Sequence, residues 1–381
     1  MFLEYNISKA LIMPWEYYIS KSYKLFNKRN SKVYKVKNIC SIGDAQMTEF
    51  LHIWNLYEVV ASHLEGGRRT VETKNGVTIE TVETNAYTHE GEAYPMVSTE
   101  RYEHVLRGGM TDVSGRDYAS VFKTLKDYRL KEGVHFKDGV LTRKFFEDYP
   151  GNLVFGYAIG GENEMNGAIS RESPVRNFGL LGLFQKKGNT VFDEIRPEWD
   201  DKRMVRKELV STVLSGSILI DVQRLSRVEG YERAFKSDEG IEPLDFSNEV
   251  KEHVANLIRG GMFDTRHFAD SEDGVLPSVG LALTLIVVTD EPSHPFATPH
   301  NLVKYVTKDG KRTLSLNVEA INNHVVKRYG RENVIVAGGE FDHNDPLIDL
   351  RGAKDIGAVL LDRWDYPRIE DKLAEEVLKR L

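Results

Sequence analysis

The sequence predicts an α+β protein in which helices cover one side of a β-sheet. Three observations lead to this fold class. Apolar runs typical of buried strands are interspersed with amphipathic helical segments along the chain. These segments do not alternate with the regular spacing of a doubly wound parallel sheet. The chain has 381 residues, of which 41% are hydrophobic, and this material suffices for a large buried core.

The first core strand is predicted over residues 48–62, TEFLHIWNLYEVVAS, because this segment is almost continuously apolar. A β-hairpin follows, with Asn75-Gly76 as its turn between two runs rich in valine and threonine. Glutamates lie along both runs. The hairpin is therefore predicted to be polar on both faces and to project from the body, over about residues 68–92.

Two helices are predicted to follow the hairpin. Ser98 is the predicted N-cap of the first helix, which Gly108-Gly109 is expected to end. A second helix is predicted from Ser114, where apolar residues recur on one stripe. The glycine-rich residues 150–167 are predicted to form a loop.

The second half of the chain continues the mixture of strands and helices. Strands are predicted over residues 175–186, 209–222 and 279–290, and over the segment VIVAGGEF. Helices are predicted over residues 248–258, over LNVEAINNHVVKRYG, and over the C-terminal residues 366–381. The sequence Arg-Gly-Gly-Met occurs at 107–110 and again at 259–262. Two helix C-caps are the favoured interpretation, and an internal duplication is the alternative.

The distribution of charge divides the chain into an N-terminal arm and a body. Residues 1–44 are rich in lysine and aromatic residues and are predicted to be an arm, either loosely packed or embracing a partner. Residues 45–365 are predicted to be the body, and residues 366–381 the closing helix. The net charge is −7, but residues 1–40 alone carry +6, so the rest carries −13. A polyanion needs only a local basic track, so this total does not exclude nucleic-acid binding.

Several function classes lack their sequence signatures. The single cysteine, Cys40, excludes a disulfide framework and a multi-cysteine metal site. The sequence contains no Walker A loop, dinucleotide fingerprint, zinc-ligand spacing or G-x-S-x-G. No catalytic residue, metal or cofactor is therefore predicted. The sequence also has no apolar run long enough to span a membrane and no signal peptide, so a cytoplasmic protein is expected.

Four segments, in order, resemble the backbone subunit of type I CRISPR Cascade complexes, from the archaeal and DevR-like branch of the RAMP superfamily. They are FLHIWNLYEVVAS with EGGRRTVE; GEAYPMVSTERYEHVL; GGENEMNGAISRESPVRNFGLLGLF; and the run from ELVSTVLSGSILIDV through HVANLIRGGMFDTRHFADSEDGVLPSVGLALTLIVV. The match is one of pattern and order, with few identities. It covers roughly residues 46–306.

The resemblance implies a specific architecture and set of partners. The fold would be a palm similar to the RNA-recognition motif, which is ferredoxin-like, with an inserted thumb hairpin or loop and helical fingers. The protein would polymerise along guide RNA (crRNA) and present its bases to target DNA. Its partners would be guide RNA, target DNA, copies of itself in a filament and other Cascade subunits.

The candidate RNA-binding residues lie in or beside glycine-rich turns. Glycine lets the main chain approach a phosphate, and neighbouring basic side chains pair with it, without reading base edges. The candidates are Arg68, Arg69, Lys74, Ser98, Arg101, Arg171, Arg176, Asn177, Arg266 and His267. A solvated loop, a local ion pair or a simple helix cap is the alternative for each. Asp264 and Asp270 depart from the family pattern beside Arg266 and His267.

The thumb has two candidate positions. The favoured one is the loop over about residues 156–173, with Met165 or Ile169 as an apolar wedge between bases. The hairpin at Asn75-Gly76 is the other. Related RNA-cutting complexes use an aspartate in a thumb loop. This loop has Glu162, Glu164 and Glu172 but no aspartate, so no cleavage is predicted.

Two other classes of function stay open at the level of sequence. A metal-dependent nuclease could use the segment from Asp342 to Asp349, although an Asp-rich turn is the simpler interpretation. A viral structural protein, such as a capsid or tail component, would also suit an arm, a projecting hairpin and an α+β body.

Overall fold

The structure is a computed structural model. It describes residues 50–381 except for 75–76, 123–129, 161–167, 187–190, 196–202, 235–239, 269–277, 297–298, 309, 340 and 342–346. The predicted arm over residues 1–44 lies outside the described residues. Within the described part of the chain, no helix has the length and apolarity needed to cross a membrane.

The described residues contain β-strands from the first central strand to the C-terminal region. They are β1 Phe50–Ser62, β2 Gly66–Lys74, β3 Val77–Thr84, β4 Ala86–His89, β5 Glu92–Val97, β6 Phe136–Lys137, β7 Val140–Leu141, β8 Tyr157–Gly160, β9 Ala168–Arg171, β10 Val175–Gly182, β11 Val191–Ile195, β12 Arg203–Glu208, β13 Val210–Asp221, β14 Arg227–Val228, β15 Leu244–Asp245, β16 Ser278–Thr289, β17 Val303–Lys308, β18 Lys311–Leu316, β19 Val334–Gly338, β20 Ile348–Asp349 and β21 Val359–Asp362.

Most of the helices between these strands are short. The α-helices are α1 Thr99–Ser114, α2 Arg143–Asp148, α3 Pro150–Phe155, α4 Val222–Ser226, α5 Gly230–Arg233, α6 Val250–Asn256, α7 Val318–Ile321, α8 Lys327–Tyr329 and α9 Ile369–Leu378. Two π-helical segments adjoin them, Leu257–Met262 after α6 and Asn322–Val326 between α7 and α8. The described residues also contain the 3-10 turns Thr265–Phe268, Pro299–Leu302, Arg331–Asn333 and Arg351–Asp355.

An eight-stranded sheet forms the centre of the body, with the strand order β21-β19-β16-β1-β13-β10-β5-β4. The predicted first core strand is confirmed as β1, which pairs antiparallel with both β13 and β16. The four strands β16-β1-β13-β10 are all antiparallel. In the chain, α1 lies between β1 and β10, and α6 lies between β13 and β16. The fold is thus α+β, as predicted.

Both faces of the central sheet are buried, which corrects the prediction of a one-sided cover. Leu51 and Ile53 face the core formed with α1 and α6. Trp54 and Leu56 face a second core, to which residues 296–358 contribute. The second layer includes the small sheet β17-β18-β20. A strand covered on both faces is apolar at nearly every position, and this explains the continuous run in β1.

Only one of the two Arg-Gly-Gly-Met segments ends a helix, which corrects the prediction of two C-caps for the first of them. The second forms the last residues of the π-helical segment Leu257–Met262, whereas the first lies inside α1. Helix α1 continues to Ser114 and ends at Gly115, whose φ of 68° is left-handed. A Cβ added at Gly109 would lie 2.3 Å from the Gly260 carbonyl oxygen, and one at Gly260 would lie 2.1 Å from that of Gly109. The glycines therefore allow two helices to cross with their backbones in contact.

The region after α1 also differs from the prediction. Ser114 is the last residue of α1, so no second helix begins there. Residues 116–122 are irregular, and residues 123–129 of the predicted helix lie outside the described residues. Residues 150–160, predicted to be loop, form α3 and β8 instead. The C-terminal helix is confirmed as α9.

The predicted hairpin is confirmed as β2 and β3, which pair up to Lys74 and Val77. It belongs to a second sheet of order β11-β12-β3-β2, separate from the central one. Every residue of β2 is exposed, whereas Ile79 and Val82 of β3 are buried. The prediction of two polar faces is therefore wrong for β3, which lies between β2 and β12 in its sheet.

Candidate nucleic-acid interface

The most accessible predicted residues lie on β2, directly after the central strand β1. Arg68, Arg69 and Lys74 are all exposed. Arg69 Nη1 lies 3.1 Å from Glu80 Oε1, yet 70% of its side chain stays exposed. Among the described residues, no ion pair joins Arg68 or Lys74 to a carboxylate. These side chains can therefore reach a phosphate backbone without breaking a buried contact.

The glycines before these arginines serve packing. A Cβ added at Gly67 would lie 2.9 Å from the Cα of Asn85. The Asn85 N–H donates to the Glu65 carbonyl at 2.8 Å. The Gly67 backbone thus lies against Asn85, the residue before β4, and the basic side chains of β2 carry the interface alone.

The N-terminus of α1 is already occupied by a carboxylate. Ser98 Oγ accepts from the Arg101 N–H at 3.1 Å, so the predicted cap is confirmed. Glu65 accepts from the Ser98 N–H at 2.6 Å and from its hydroxyl at 2.8 Å. An anion at this position satisfies the free amides and the helix dipole. Glu65 thus fills the place predicted for a phosphate at Ser98, which is a correction; the sequence analysis missed this glutamate.

Arg101 holds two elements together. Its Nη2 donates to the Phe268 carbonyl at 3.0 Å, and the residue is half-buried. The bond fixes the first turn of α1 to the 3-10 turn Thr265–Phe268. This assigns Arg101 a structural contact in place of the predicted solvent-facing or RNA-facing one.

The predicted pair Arg266 and His267 is neutralised by acidic neighbours. Arg266 Nη2 lies 2.9 Å from Asp112 Oδ2, and Arg266 also pairs with Asp264. His267 Nε2 lies 3.0 Å from the same Asp112 oxygen. The Arg266 hydrogen bond lowers the pKa of Asp264. The acidic partner expected at Asp264 is confirmed, and Asp112 adds a second from α1.

The same group has the donor types of a divalent cation site. Ligand atoms of Asp112, Asp264 and His267 lie within 4.8 Å of one another. The guanidinium of Arg266 already contacts both carboxylates, however. The Arg266 side chain therefore already supplies the positive charge that a metal ion would bring to these carboxylates.

Arg171 is a buried structural residue, which corrects its prediction as an RNA contact. Its side chain is fully buried and lies 2.5 Å from Glu232 Oε2. Its Nη1 also donates to the Arg227 carbonyl at 3.0 Å. Burial lowers the pKa of Arg171, and the Glu232 charge opposes that shift. Arg224 Nη2 completes the network, 3.0 Å from Glu232 Oε1.

The base of the favoured thumb region contacts the ion-pair network of Arg171, Arg224 and Glu232. Strands β8 and β9 form a hairpin in which Ile159 pairs with Ile169. Ile169 is buried in the main core, so it cannot serve as the predicted wedge. Met165, the other wedge candidate, lies outside the described residues. The Tyr157 hydroxyl donates to the Glu232 carbonyl at 2.7 Å, and this fixes the base of the hairpin.

Arg176 and Asn177 lie at a bulge in β10. Arg176 Nη2 is 3.5 Å from Glu172, and 40% of its side chain is exposed, so it stays accessible. Asn177 Oδ1 accepts from the Gly179 N–H at 3.0 Å, and Gly179 has a φ of 69°. Asn177 therefore shapes the bulge. The bulge exposes Phe178, which the sequence analysis did not single out.

The structure thus separates the ten candidates into different environments. Accessible basic residues that are not held between two carboxylates remain on β2 and at the β10 bulge: Arg68, Arg69, Lys74 and Arg176. Arg266 is also exposed, but it pairs with both Asp112 and Asp264. The other candidates cap, bridge or pair within the fold.

No family model matches the sequence. No curated protein matches it either. Among solved structures, the chain is similar to one described as "CRISPR RNA-guided surveillance complex, pre-nicking", with a TM-score of 0.45, 13% identity and coverage of 86% of this chain and 99% of that chain. A chain of a "CRISPR RNA-guided surveillance complex" gives a TM-score of 0.43, 14% identity and coverage of 86% and 99%.

A third similar chain comes from a "Type IV-B CRISPR Complex". It gives a TM-score of 0.33 and 13% identity, and the match covers 64% of this chain and 92% of that chain. At these TM-scores and identities the likeness says nothing of function.

Proposed function

We propose that this chain is a non-catalytic backbone subunit of a CRISPR surveillance complex that holds guide RNA by its phosphates. The order β16-β1-β13-β10 supports this proposal most directly. These strands are antiparallel, and α1 and α6 pack on one face. This is the β-α-β-β-α-β order of the ferredoxin-like fold, on which the RNA-recognition motif is also built. The palm that the sequence motifs imply would have this topology.

The accessible arginines support binding of phosphates over reading of bases. Arg68 and Arg69 lie on β2, soon after the central strand, and Arg176 lies near the start of β10 with 40% of its side chain exposed. Arginine forms paired hydrogen bonds with phosphate oxygens, and such contacts carry no sequence information. Guide RNA must keep its bases free for pairing, so this type of contact suits it. Polymerisation along the guide, target DNA pairing and contacts with other Cascade subunits are part of the proposal.

The thumb is assigned to the hairpin β8–β9. Its base is fixed by the buried Arg171–Glu232 pair and by Tyr157. A rigid base is what an element crossing RNA requires, since a loose one would not hold a regular spacing.

The absence of catalysis is also part of the proposal. In the segment proposed for a nuclease, Asp349 accepts from Arg351 Nε at 2.9 Å and from Nη2 at 2.6 Å. Residues 342–346 of that segment lie outside the described residues. Guide RNA incubated with the protein and Mg²⁺ should stay intact. Cleavage that stops on Glu172→Gln, or on an equivalent change at Glu162 or Glu164, contradicts this part.

The decisive experiment is purification followed by analysis of bound nucleic acid. The proposal expects short RNA of uniform length bound to the protein. RNA-free protein that assembles into shells or tubes would favour the viral structural alternative.

The triple variant Arg68→Ala, Arg69→Ala and Arg176→Ala should weaken RNA binding by about 100-fold. It should also reduce the slope of log K against log salt concentration by about two. The matched control is the same alanine replacement at three other exposed basic residues, Lys327, Arg331 and Arg363. If the first triple binds RNA with unchanged affinity and salt slope, the site assignment is wrong.

A further inference from the structure

Two arginines converge on one carboxylate oxygen at the base of the hairpin β8–β9. Arg176 Nη2 lies 3.5 Å from Glu172 Oε2, and Arg224 Nη1 lies 3.1 Å from the same atom. Glu172 directly follows β9, Arg176 belongs to β10, and Arg224 belongs to α4. The Arg176 Nε–H also donates to the Ser173 carbonyl at 3.3 Å, which orients its guanidinium. Separate elements of the fold thus bring two guanidinium groups to a single point.

Arg224 is held in place by the buried ion-pair network. Its Nη2 lies 3.0 Å from Glu232 Oε1, and the same carboxylate pairs with the fully buried Arg171. Its backbone N–H donates to Asp221 Oδ1 at 2.9 Å, which caps α4. The other edge of the guanidinium remains directed at Glu172. Arg224 is therefore positioned before any ligand arrives, and a positioned group loses less freedom on binding.

Glu172 is the weakly held member of the group. Its side chain is 65% exposed, whereas that of Glu232 is 3% exposed. Exposed ion pairs contribute little to stability, because water solvates both partners well when they separate. The Glu172 carboxylate can therefore rotate into solvent at little cost. The two guanidinium groups would then face an incoming ligand with no acidic group between them.

The ion-pair network also has an excess of positive charge. Its members sum to a net charge of +1 and are Arg171, Arg176, Arg224, Glu172 and Glu232. The opposite holds at Arg266, where two carboxylates share one arginine. A phosphodiester carries one negative charge on two free oxygens, and arginine forms paired hydrogen bonds with such oxygens. A phosphodiester therefore matches the place that the Glu172 carboxylate now takes.

We propose that Arg176 and Arg224 form a clamp for one phosphodiester group of the guide RNA, and that Glu172 occupies this clamp when RNA is absent. This inference rests on the proposed function and deepens it. It adds Arg224 to the interface and makes Glu172 an internal competitor of the phosphate. The clamp lies at the base of the hairpin assigned as the thumb, where a strand crossed by that hairpin would pass.

The test is a titration of the full chain against a labelled single-stranded RNA, followed by fluorescence anisotropy at several salt concentrations. Glu172→Gln should tighten binding by about fivefold, because the neutral amide no longer competes for the two arginines. It should also steepen the decline of log K with log salt concentration by about 0.7, since no displaced carboxylate takes up a counterion. Glu242→Gln removes the same charge at another exposed position and should change the Kd by less than twofold.

A second variant tests the other half of the clamp. Arg224→Gln keeps an amide donor near Glu232 but removes the charge that faces Glu172. It should weaken RNA binding by about fivefold, and it should remove most of the gain when combined with Glu172→Gln. Equal RNA affinity of the wild type and Glu172→Gln overturns the proposal. A gain that persists in full beside Arg224→Gln overturns it as well.

Inorganic phosphate, titrated by calorimetry, separates the two possible sources of the ligand. If Glu172→Gln tightens the binding of phosphate but not of RNA, the clamp serves a free phosphate and the proposal is overturned. A wild-type protein that binds no RNA overturns the proposed function together with this inference. A wild-type protein that binds RNA with the affinity of Glu172→Gln overturns this inference alone.

Discussion

Glu65 accepts hydrogen bonds from both the backbone N–H and the hydroxyl of Ser98, at 2.6 and 2.8 Å. Glu65 follows the end of β1, and Ser98 is the N-cap of α1, so this contact joins the central strand to the main helix. It also places a negative charge at a helix N-terminus, where the dipole stabilises it.

Replacing Glu65 with alanine should lower the free energy of unfolding by about 1–3 kcal/mol. The Ser98 N–H loses its acceptor, and α1 loses the anion at its first turn. Urea denaturation followed by circular dichroism measures the change. Glu100→Ala, an exposed glutamate in the same turn, is the control. Equal, small effects from both variants would show that Glu65 contributes only a surface charge.

Gly109→Ala should destabilise the protein by about 3 kcal/mol or more. The new methyl group would meet the Gly260 carbonyl oxygen at 2.3 Å, and a packed backbone cannot yield as a flexible side chain can. Gly280→Ala in β16 is the matched control, because a Cβ there meets nothing within 4 Å. If Gly109→Ala unfolds at the same urea concentration as Gly280→Ala, the helices do not cross in contact.

Arg171→Met should destabilise the protein by about 3–5 kcal/mol, because it leaves Glu232 as a buried charge that has lost a partner. Arg176→Met, on the neighbouring strand, should change stability by less than about 0.5 kcal/mol, since its pair with Glu172 is exposed. A double change of Arg171 and Glu232 to apolar residues should recover much of the loss. Additive losses in this cycle would contradict a coupled pair.

Stability should fall as the pH drops from 6.5 towards 4, in part because of His253. Burial lowers its pKa to about 4 from the ordinary value of 6.5, and the Arg116 charge adds to the shift. The unfolded chain therefore binds a proton in this window that the folded protein does not. The contribution is complete above pH 6.5 and is lost on acidification at about 1.4 kcal/mol per pH unit.

The variant His253→Gln isolates the contribution of His253 to the pH dependence of stability. Its free energy of unfolding should decline less steeply than that of the wild type between pH 6.5 and 4. The exposed His324→Gln should keep the wild-type slope. Parallel curves for the wild type and His253→Gln would show that folding does not lower the pKa of His253.

The sequence predicted those features that depend on neighbouring residues. The apolar run of β1, the pairing of β2 with β3 and the Ser98 cap each follow from local pattern, and the structure contains all three. The predictions that were wrong concern features that depend on residues far apart in the sequence. A glycine pair looks the same in a helix C-cap and in a helix crossing, and only Gly260, far along the chain from Gly109, distinguishes the two.

The candidate site shows the same division. The sequence predicts an RNA contact for Arg171, with a nearby glutamate as the alternative partner, whereas its partner is Glu232, 61 residues away. The second layer over the sheet was missed because each of its strands and helices is short, and its apolar residues become a core only once assembled. Arg176 and Arg224 likewise meet at Glu172 only in the folded chain, because Arg224 lies 52 residues from Glu172.

The position of β1 between β13 and β16 has a consequence for synthesis of the protein. Both partner strands lie far downstream, and the second ends at Thr289. At about 5–20 residues per second, the ribosome needs on the order of 10–50 seconds to complete them after β1 emerges. During that time one of the most apolar strands in the chain has neither neighbour. Production of this protein should therefore depend on chaperones that shield nascent chains, and slower translation should increase its aggregation.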